Sequence, residues 1–381
     1  MIIIETKAVT RGYKIRIYPT LPQQEQINKF FNVNIAVWNL GVEIQSKRLE
    51  DELPLLKLVD LKREVKERLL DPKYKWASEC GYPAHMRHFC LSDVNTAYYR
   101  YLKRLSNAPR FKRTRTTYKS FVQRNDMNQF VKRNVQINKI GTVACNVHQL
   151  ERAMATSGKI VRPTISYDGL HYYFSLTVIS SISAIRRATS APIGIDLGLR
   201  DLMHMSDGTI VSSESDRVSH LVIRQKRISR KIGRLYESTS SDAKSNNLRK
   251  LERQNLEVLK RIKDIRDSVA YQAIATLIAK NPEYIAMEDL RLDLMGRTQF
   301  LSRGLSHARF RFIRDQVEYQ CSVNNIPFYL VPSTYASTKT CSSCGSKNDP
   351  KTSKTYTCKE CGLEIDRDYN ASLNIRDYFS R

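Results

Sequence analysis

Alternating apolar and polar residues mark the first element, Gly12–Tyr18 (the run YKIRIY), a strand ended by Pro19. Pro22 then opens a helix whose apolar positions are Ile27, Phe30, Phe31, Ile35, Val37 and Trp38. Charged helical segments follow from about Ser46 to Leu70 and from about Leu91 to Leu105. The strand pattern returns in Asn134–Val147, with Gly141 at the turn, and in Ile160–Ile179. The first half, residues 1–180, therefore predicts a β-rich module with a helical insertion at about 20–125.

Ser180–Ala191 is small and polar and is read as a linker, centred on 181–191. After Pro192 the pattern changes, and residues 192–381 are read as a second domain. Ile193–Leu199 (IGIDLGL) is a buried strand carrying one acid, followed by Leu202–Met205, the turn SDG and Thr209–Val211. A long basic helical region, about 217–280, is broken near Ser238–Ser245 and predicts a helical hairpin. Its expected core contacts are Leu235, Leu248, Leu251, Leu256 and Leu259. A short strand, Tyr284–Met287, ends in Glu288-Asp289. A helix over about Leu305–Val323 and a strand at Phe328–Val331 follow, and Asp366–Ala371 opens a final helix.

Charge sharpens this outline. The 381 residues carry 63 Lys+Arg against 38 Asp+Glu, a formal net charge of +25, with 41% hydrophobic residues. That is a globular composition, and the charge favours a polyanionic partner, nucleic acid above all. Between Tyr99 and Arg133 there are 11 Lys+Arg and one acid, with Tyr99, Tyr101, Phe111, Tyr118, Phe121 and Phe130 interleaved and available for stacking. Between Arg217 and Arg266 there are 15 Lys+Arg and five acids, so the two stretches supply +20 of the +25. No apolar run approaches the roughly 20 residues of a membrane helix, and Glu5 breaks the N-terminal run against a signal peptide. The expectation is a soluble intracellular protein.

Four of the eight cysteines, Cys80, Cys90, Cys145 and Cys321, are scattered and read as buried small hydrophobes. The other four form Cys341-x2-Cys344-x13-Cys358-x2-Cys361, with Gly345 and Gly362 where each knuckle needs a positive φ. Four thiolates at this spacing suit one structural Zn²⁺ in a ribbon at about 335–365, and two disulfides are disfavoured inside a cell. The seven histidines show no metal-ligand spacing, and Trp38 and Trp76 read as packing residues.

Three acids stand where apolar residues are expected: Asp196 in mid-strand, Glu288 at a strand end and Asp368 at a helix start. An unpaired buried carboxylate costs several kcal/mol, so such acids imply partners or a metal. Their order on a meander–helix–strand–helix pattern suits an RNase H-like arrangement that holds two Mg²⁺ for attack of water on a phosphodiester.

Taken together, Tyr13–Pro19 (YKIRIYP), Ala108–Lys112 (APRFK), Ile193–Leu199, Ile285–Leu290 (IAMEDL), the four cysteines and Asp366–Ile375 (DRDYNASLNI) resemble TnpB, the OrfB family of insertion sequences. That family is related to type V CRISPR effectors and Fanzor proteins. The resemblance runs from about residue 12 to 377. It implies an α+β, multidomain chain: an N-terminal β-barrel-like wedge module with a helical recognition insertion, then an RNase H-like RuvC nuclease domain with an inserted zinc ribbon.

The implied activity is RNA-guided DNA cleavage beside a short adjacent motif. A guide RNA from the transposon end and double-stranded target DNA are the partners, in a bacterial or archaeal cytoplasm at the nucleoid. The resemblance suggests one protein per RNA, yet related compact effectors dimerise, so the oligomeric state stays open with a monomer favoured. The implied catalytic residues and Mg²⁺ ligands are Asp196, Glu288 and Asp368, with Asp366 as the rival to Asp368. Asp368 is preferred because it stands two residues before Asn370, in the family's D-x-N-A pattern. The chain departs from the family at Arg266, Ser268, Tyr271 and Gln272, where an Arg-x-Asp…His-Lys helix is usual, and at Phe310, where a Trp is usual. Competing readings are an RNA-guided binder that does not cut, a transposase acting without RNA, and a general zinc-ribbon nucleic-acid binder.

Overall fold

The computed structural model describes residues 6–114, 118–124, 130–183, 186–198, 201–212, 216–238, 245–290, 309–349 and 353–379. The chain divides into two compact units, a first of Ala8–Ser181 and a second of Ile182–Arg381 together with Met1–Lys7.

In the first unit, strand β1 (Thr6–Tyr18) leads into the 30-residue helix α1 (Leu21–Glu50). The Gln23 side chain accepts the Thr20 backbone N–H at 3.0 Å, and a proline sits in the first turn, so the helix starts where the sequence pattern places it. Its face buries Ile27, Phe30, Phe31 and Val37. Helices α2 (Leu58–Arg68), α3 (Lys75–Glu79) and α4 (Ala84–Leu102) follow. Then come β2 (Lys119–Val122), β3 (Phe130–Val131), β4 (Asn134–Ile137), β5 (Gly141–Cys145), α5 (Val147–Met154), β6 (Lys159–Tyr167) and β7 (Tyr172–Ser183). The seven strands form one sheet in the order β2-β6-β7-β1-β5-β4-β3. Among the described residues no ladder joins β2 to β3, but Gln123, just past β2, bridges to the other end of the sheet. Its Nε2 donates to the Gln136 carbonyl of β4 at 3.2 Å, and its Oε1 accepts the Asn138 N–H at 3.3 Å.

Two expectations change here. The stretch read as linker begins as strand, because β7 runs to Ser183. Its later part is tied down: Thr189 N–H donates to the Asn281 carbonyl, and Ser190 Oγ to the Lys280 carbonyl at 2.7 Å. The helical segment expected over Ser46–Leu70 is interrupted, since α1 ends at Glu50 and α2 starts at Leu58. Buried Gln45 holds the turn between them, accepting the Leu56 N–H at 3.0 Å.

In the second unit, β8 (Ile193–Asp196), β9 (Asp201–Met205) and β10 (Ile210–Ser212) form an antiparallel meander. The basic hairpin α6 (Asp216–Ser238) and α7 (Asn246–Ala279) follows, then β11 (Ile285–Glu288), α8 (Phe310–Asn324) and β12 (Phe328–Val331). The unit closes with the hairpin β13 (Thr355–Thr357) and β14 (Glu364–Asp366) and helix α9 (Arg367–Asp377). The five-stranded sheet has the order β10-β9-β8-β11-β12, with β11 parallel to both β8 and β12. Leu199 and the start of the helix expected from Leu305 lie outside the described residues.

Period-2 alternation gives this sheet two distinct faces. Ile193, Ile195, Ile285 and Met287 pack with Ala273, Ile274 and Leu277 of α7 and Ile313, Val317 and Cys321 of α8. Ala286 and Val331 pack with Ile375 of α9 on the other face. Gly194 lets α9 lie on the sheet: a Cβ there would come within 2.2 Å of the Ser372 carbonyl and 2.4 Å of the Arg376 nitrogen. The hairpin seam is Val218, Ile228, Val258 and Ile262, with Leu251 against it. Leu248 is buried as expected, but Leu259 is 43% exposed because neighbouring Val258 takes the inward position.

Candidate functional site

Asp196 ends β8 and Glu288 ends β11. These parallel neighbours pair Ile193 with Ile285 and Ile195 with Met287. One further step along the ladder sets Asp196 beside Glu288 at the carboxyl ends of both strands. Two residues after Gly194 and Ala286, the two acids lie on the face that α9 covers. That helix carries Asp368 in its first turn. The structure thus sets Asp196 beside Glu288 and brings Asp368 within electrostatic reach of Asp196, from positions far apart in the chain.

Their electrostatics record the convergence. The Asp196 carboxyl is pushed well above the usual range by burial first, then by the charges of Asp368 and Glu288, against the opposing pull of Arg367 and a backbone N–H. Glu288 is also pushed up by burial, while the Ser337 hydroxyl, 3.5 Å from Oε2, works against the shift. Converging carboxylates that resist joint ionisation fit a divalent cation with oxygen ligands.

Asp366 and Asp368 do different things. Asp366 Oδ1 accepts the backbone N–H groups of Asp368 (2.9 Å) and Tyr369 (3.0 Å), capping α9. Asp368 Oδ1 accepts Nε and Nη2 of Arg367, both at 3.0 Å. Sequence reasoning missed His204. It lies opposite Asp196 in the β8–β9 ladder, is buried, and has Nε2 3.3 Å from Asp201 Oδ2 and Nδ1 4.0 Å from Asp366 Oδ1. One ligand atom each from His204, Asp366 and Asp368 lies within 4.8 Å of the others. No fixed spacing announces such a histidine; only the hairpin register finds it.

The four cysteines form a second cluster, with one Sγ from each within 4.8 Å of the others. Cys341 and Cys361 sulfurs are 3.6 Å apart, as are those of Cys344 and Cys358, and all four are free thiols. The two knuckles repeat one geometry. Gly345 N–H donates to the Cys341 carbonyl (2.9 Å) and Gly362 N–H to the Cys358 carbonyl (3.1 Å), with φ of +77° and +73° at the glycines. The Cys358 thiol is drawn down to about 6, chiefly by the Cys361 backbone N–H and the Ser346 hydroxyl. A closed four-sulfur set of this kind suits a structural metal ion.

The scattered cysteines behave largely as expected. Cys90, Cys145 and Cys321 are buried, Cys80 is half-buried, and burial pushes the Cys90 and Cys321 thiols up to about 12. The basic stretches divide by exposure. Tyr99, Tyr101, Phe111 and Tyr118 are exposed, whereas Phe121 is core and Phe130 packs edge-on against Phe174. Trp38 donates Nε1–H to the Arg110 carbonyl at 3.0 Å and carries the Lys112 ammonium 3.7 Å from its ring centre. Trp76 is 45% exposed, so it is not the packing residue expected. On α6, Arg224, Lys226, Arg227, Arg230, Lys231 and Arg234 are all exposed.

Residues 310–375, from α8 through the cysteines to α9, match the family described as "Cas12f1-like, TNB domain". Residues 8–52 match the "Helix-turn-helix domain" of IS605 OrfB. In both stretches the chain is similar to the TnpB/IS605 OrfB family. The residues matching the second description fold here as strand β1 and the single helix α1.

Among relatives, a Streptomyces pristinaespiralis protein provisionally named RNA-guided DNA endonuclease is 24% identical over 96% of this chain and 89% of its own. The Escherichia coli K12 protein InsQ, provisionally named the same, is 22% identical over 96% of this chain and 91% of its own. TnpB-like protein L79 of Acanthamoeba polyphaga mimivirus is 24% identical over 95% of this chain and 72% of its own. The fold is an α+β one similar to that of Cas12f1, solved in complex with sgRNA and target DNA. The likeness has a TM-score of 0.57 at 12% identity and covers 97% of this chain and 99% of that one. Among the described residues, no helix is long and apolar enough to cross a membrane.

Proposed function

We propose that this protein is an RNA-guided DNA endonuclease of transposon origin, with Asp196, Glu288 and Asp368 as its catalytic carboxylates. The observation that carries the reading is the placement of Asp196 beside Glu288 at the carboxyl ends of β8 and β11, with Asp368, in the first turn of α9, acting on Asp196 by its charge. An antiparallel meander followed by two strands parallel to its first is the RNase H-like order, which supports a RuvC-type nuclease domain over 192–381. The names of the relatives support the same activity.

Magnesium bound at the carboxylates would supply a water of lowered pKa and offset charge on the attacking and leaving oxygens. The chain's own groups prepare that place. Asp196, Glu288 and Asp368 offer hard oxygen ligands. The Ser337 hydroxyl orients Glu288, and the Arg367 guanidinium holds Asp368 and adds positive charge near the scissile phosphate. Cys341, Cys344, Cys358 and Cys361 would hold one structural Zn²⁺.

In this reading residues 1–180 are the nucleic-acid-binding wedge module, with its helical insertion at about 20–125 serving recognition. Guide RNA from the transposon end pairs with double-stranded DNA beside a short adjacent motif. Exposed basic residues in each unit supply phosphate contacts for the A-form heteroduplex while base pairing reads sequence. The protein acts in a prokaryotic cytoplasm at the nucleoid.

The deciding experiment is expression with native flanking DNA, purification, and sequencing of bound RNA, followed by Mg²⁺-dependent cleavage of DNA matching the guide. A single abundant RNA with a defined 5′ end running into the flank, and cutting of matched DNA, is the expected result. Degraded host RNA alone would remove the guided reading. A discrete RNA without cutting would leave an RNA-guided binder, and strand transfer without RNA a transposase.

A further inference from the structure

Helix α9 carries, beyond Asp368, two asparagines that expose no surface, Asn370 and Asn374. Four residues apart, they share one helix face. Asparagine is a poor choice for a helix interior unless its amide has a task. Here both amides reach the segment 337–342. Asn374 Nδ2 donates to the Ser337 carbonyl at 2.9 Å and the Thr340 carbonyl at 2.6 Å. Asn370 Nδ2 donates to the Thr340 carbonyl at 2.8 Å, and its Oδ1 accepts the Ser342 N–H at 3.0 Å.

Both ends of that segment are tied to chemistry. At one end Ser337 Oγ donates to Glu288 Oε2. At the other end Cys341 belongs to the four-sulfur cluster. The two amides therefore join three things: the helix that presents Asp368, the turn that steers Glu288, and the first cysteine knuckle.

We infer that Asn370 and Asn374 are positioning residues for the carboxylate site, fixing α9 against the Ser337–Cys341 turn so that the state of the cysteine cluster sets the geometry of Glu288 and Asp368. The inference rests on the reading of Asp196, Glu288 and Asp368 as one cation site. Neither asparagine would touch the cation or the substrate. An aspartate in either place would turn lone pairs toward the Thr340 carbonyl, and an alanine would leave buried backbone groups without partners.

The test is Mn²⁺ binding, read by electron paramagnetic resonance on the full-length protein, with Asp196→Ala as the blank and metal at the cysteines assayed in every sample. Asn370→Ala and Asn374→Ala should each weaken the Asp196-dependent Mn²⁺ site about 10- to 100-fold, the range for a group acting through a ligand. RNA and DNA affinities should stay as in the wild type, and cleavage should recover as Mn²⁺ is raised. Ser337→Ala should shift Mn²⁺ binding in the same direction by less. Unchanged Mn²⁺ affinity in both asparagine variants, with metal still on the cysteines, overturns the inference.

If those variants do not fold, Ser337→Ala and wild-type protein stripped of its cysteine-bound metal decide the matter. Normal Mn²⁺ affinity in both again overturns it. Wild type that binds Mn²⁺ no better than Asp196→Ala would take down the carboxylate reading, and the inference with it.

Discussion

The two clusters of the second unit are built by opposite routes. The cysteines occupy positions 341–361, on two knuckles of the same design, where backbone N–H and hydroxyl donors lower the Cys344 and Cys358 thiols. Cys358, drawn down to about 6 by N–H and hydroxyl donors, is the clearest case. Cys361, against its own backbone donor, is pushed up to about 11 by burial and the neighbouring sulfurs. The carboxylates come from positions 196, 288 and 368, and there the donors do not offset the crowding: Asp196 is driven well up by burial and by its like-charged neighbours, against the weaker pull of Arg367 and a backbone N–H. A local site readies part of its ligand set for a cation. A site assembled by tertiary folding is strained until the cation is present, and so couples cation binding to ionisation.

The strongest way to break this comparison is at Asp196. Asp196→Ala should lower single-turnover cleavage by about 10³-fold or more, since a site of this kind supplies several kcal/mol of transition-state charge stabilisation. RNA and target binding, measured by filter retention, should be unaffected, and retained cutting would refute the assignment. The isosteric Asp196→Asn separates strain from chemistry. The native carboxyl keeps its proton to higher pH than an unfolded aspartate. Its ionisation therefore costs stability as pH rises from the ordinary carboxylate range through the raised native value, and costs nothing in acid. In metal-free protein, Asp196→Asn should thus melt higher than wild type at neutral pH, with the gap closing in acid. A lower melting temperature at neutral pH would mean that the site is not strained.

The next largest effect is expected at the cysteines. Cys341→Ser should release the bound metal and lower the melting temperature, because a structural ion contributes its binding energy to folding. Metal content by mass spectrometry and calorimetric melting test this. Unchanged values for both would count against a metal ribbon.

The smallest effect sharpens the division between Asp366 and Asp368. Asp366→Asn keeps an N-cap acceptor and should leave both stability and cleavage near wild type, whereas Asp366→Ala should cost about 1 kcal/mol, or about 2–4 °C in melting. Loss of cleavage in Asp366→Asn would make Asp366 a ligand along with its neighbour.

Legibility in the sequence followed the range of the interaction. Gly12–Tyr18, the helix after Pro22, the β8–β10 meander and the basic hairpin were all readable, because alternation, caps and turn residues act over a few positions. The cysteine cluster was readable to the residue for the same reason. Where partner choice depends on packing, neighbours changed places. Val258 is buried where Leu259 was expected, Phe121 is core where a stacking aromatic was expected, and Trp76 is exposed.

By itself the sequence determined that Asp196, Glu288 and Asp368 occupy awkward positions for acids, and that Gly194 stands two residues before the first of them. Only tertiary structure decided what those positions mean. Parallel pairing of β8 with β11 sets two of the acids side by side. The missing Cβ of Gly194 lets α9 descend on the sheet with the third. The β8–β9 register then brings in His204, and the amides of Asn370 and Asn374 tie the cysteine knuckle to the same helix. Strand register and helix contact are long-range choices settled by packing, and no residue spacing along the chain encodes them.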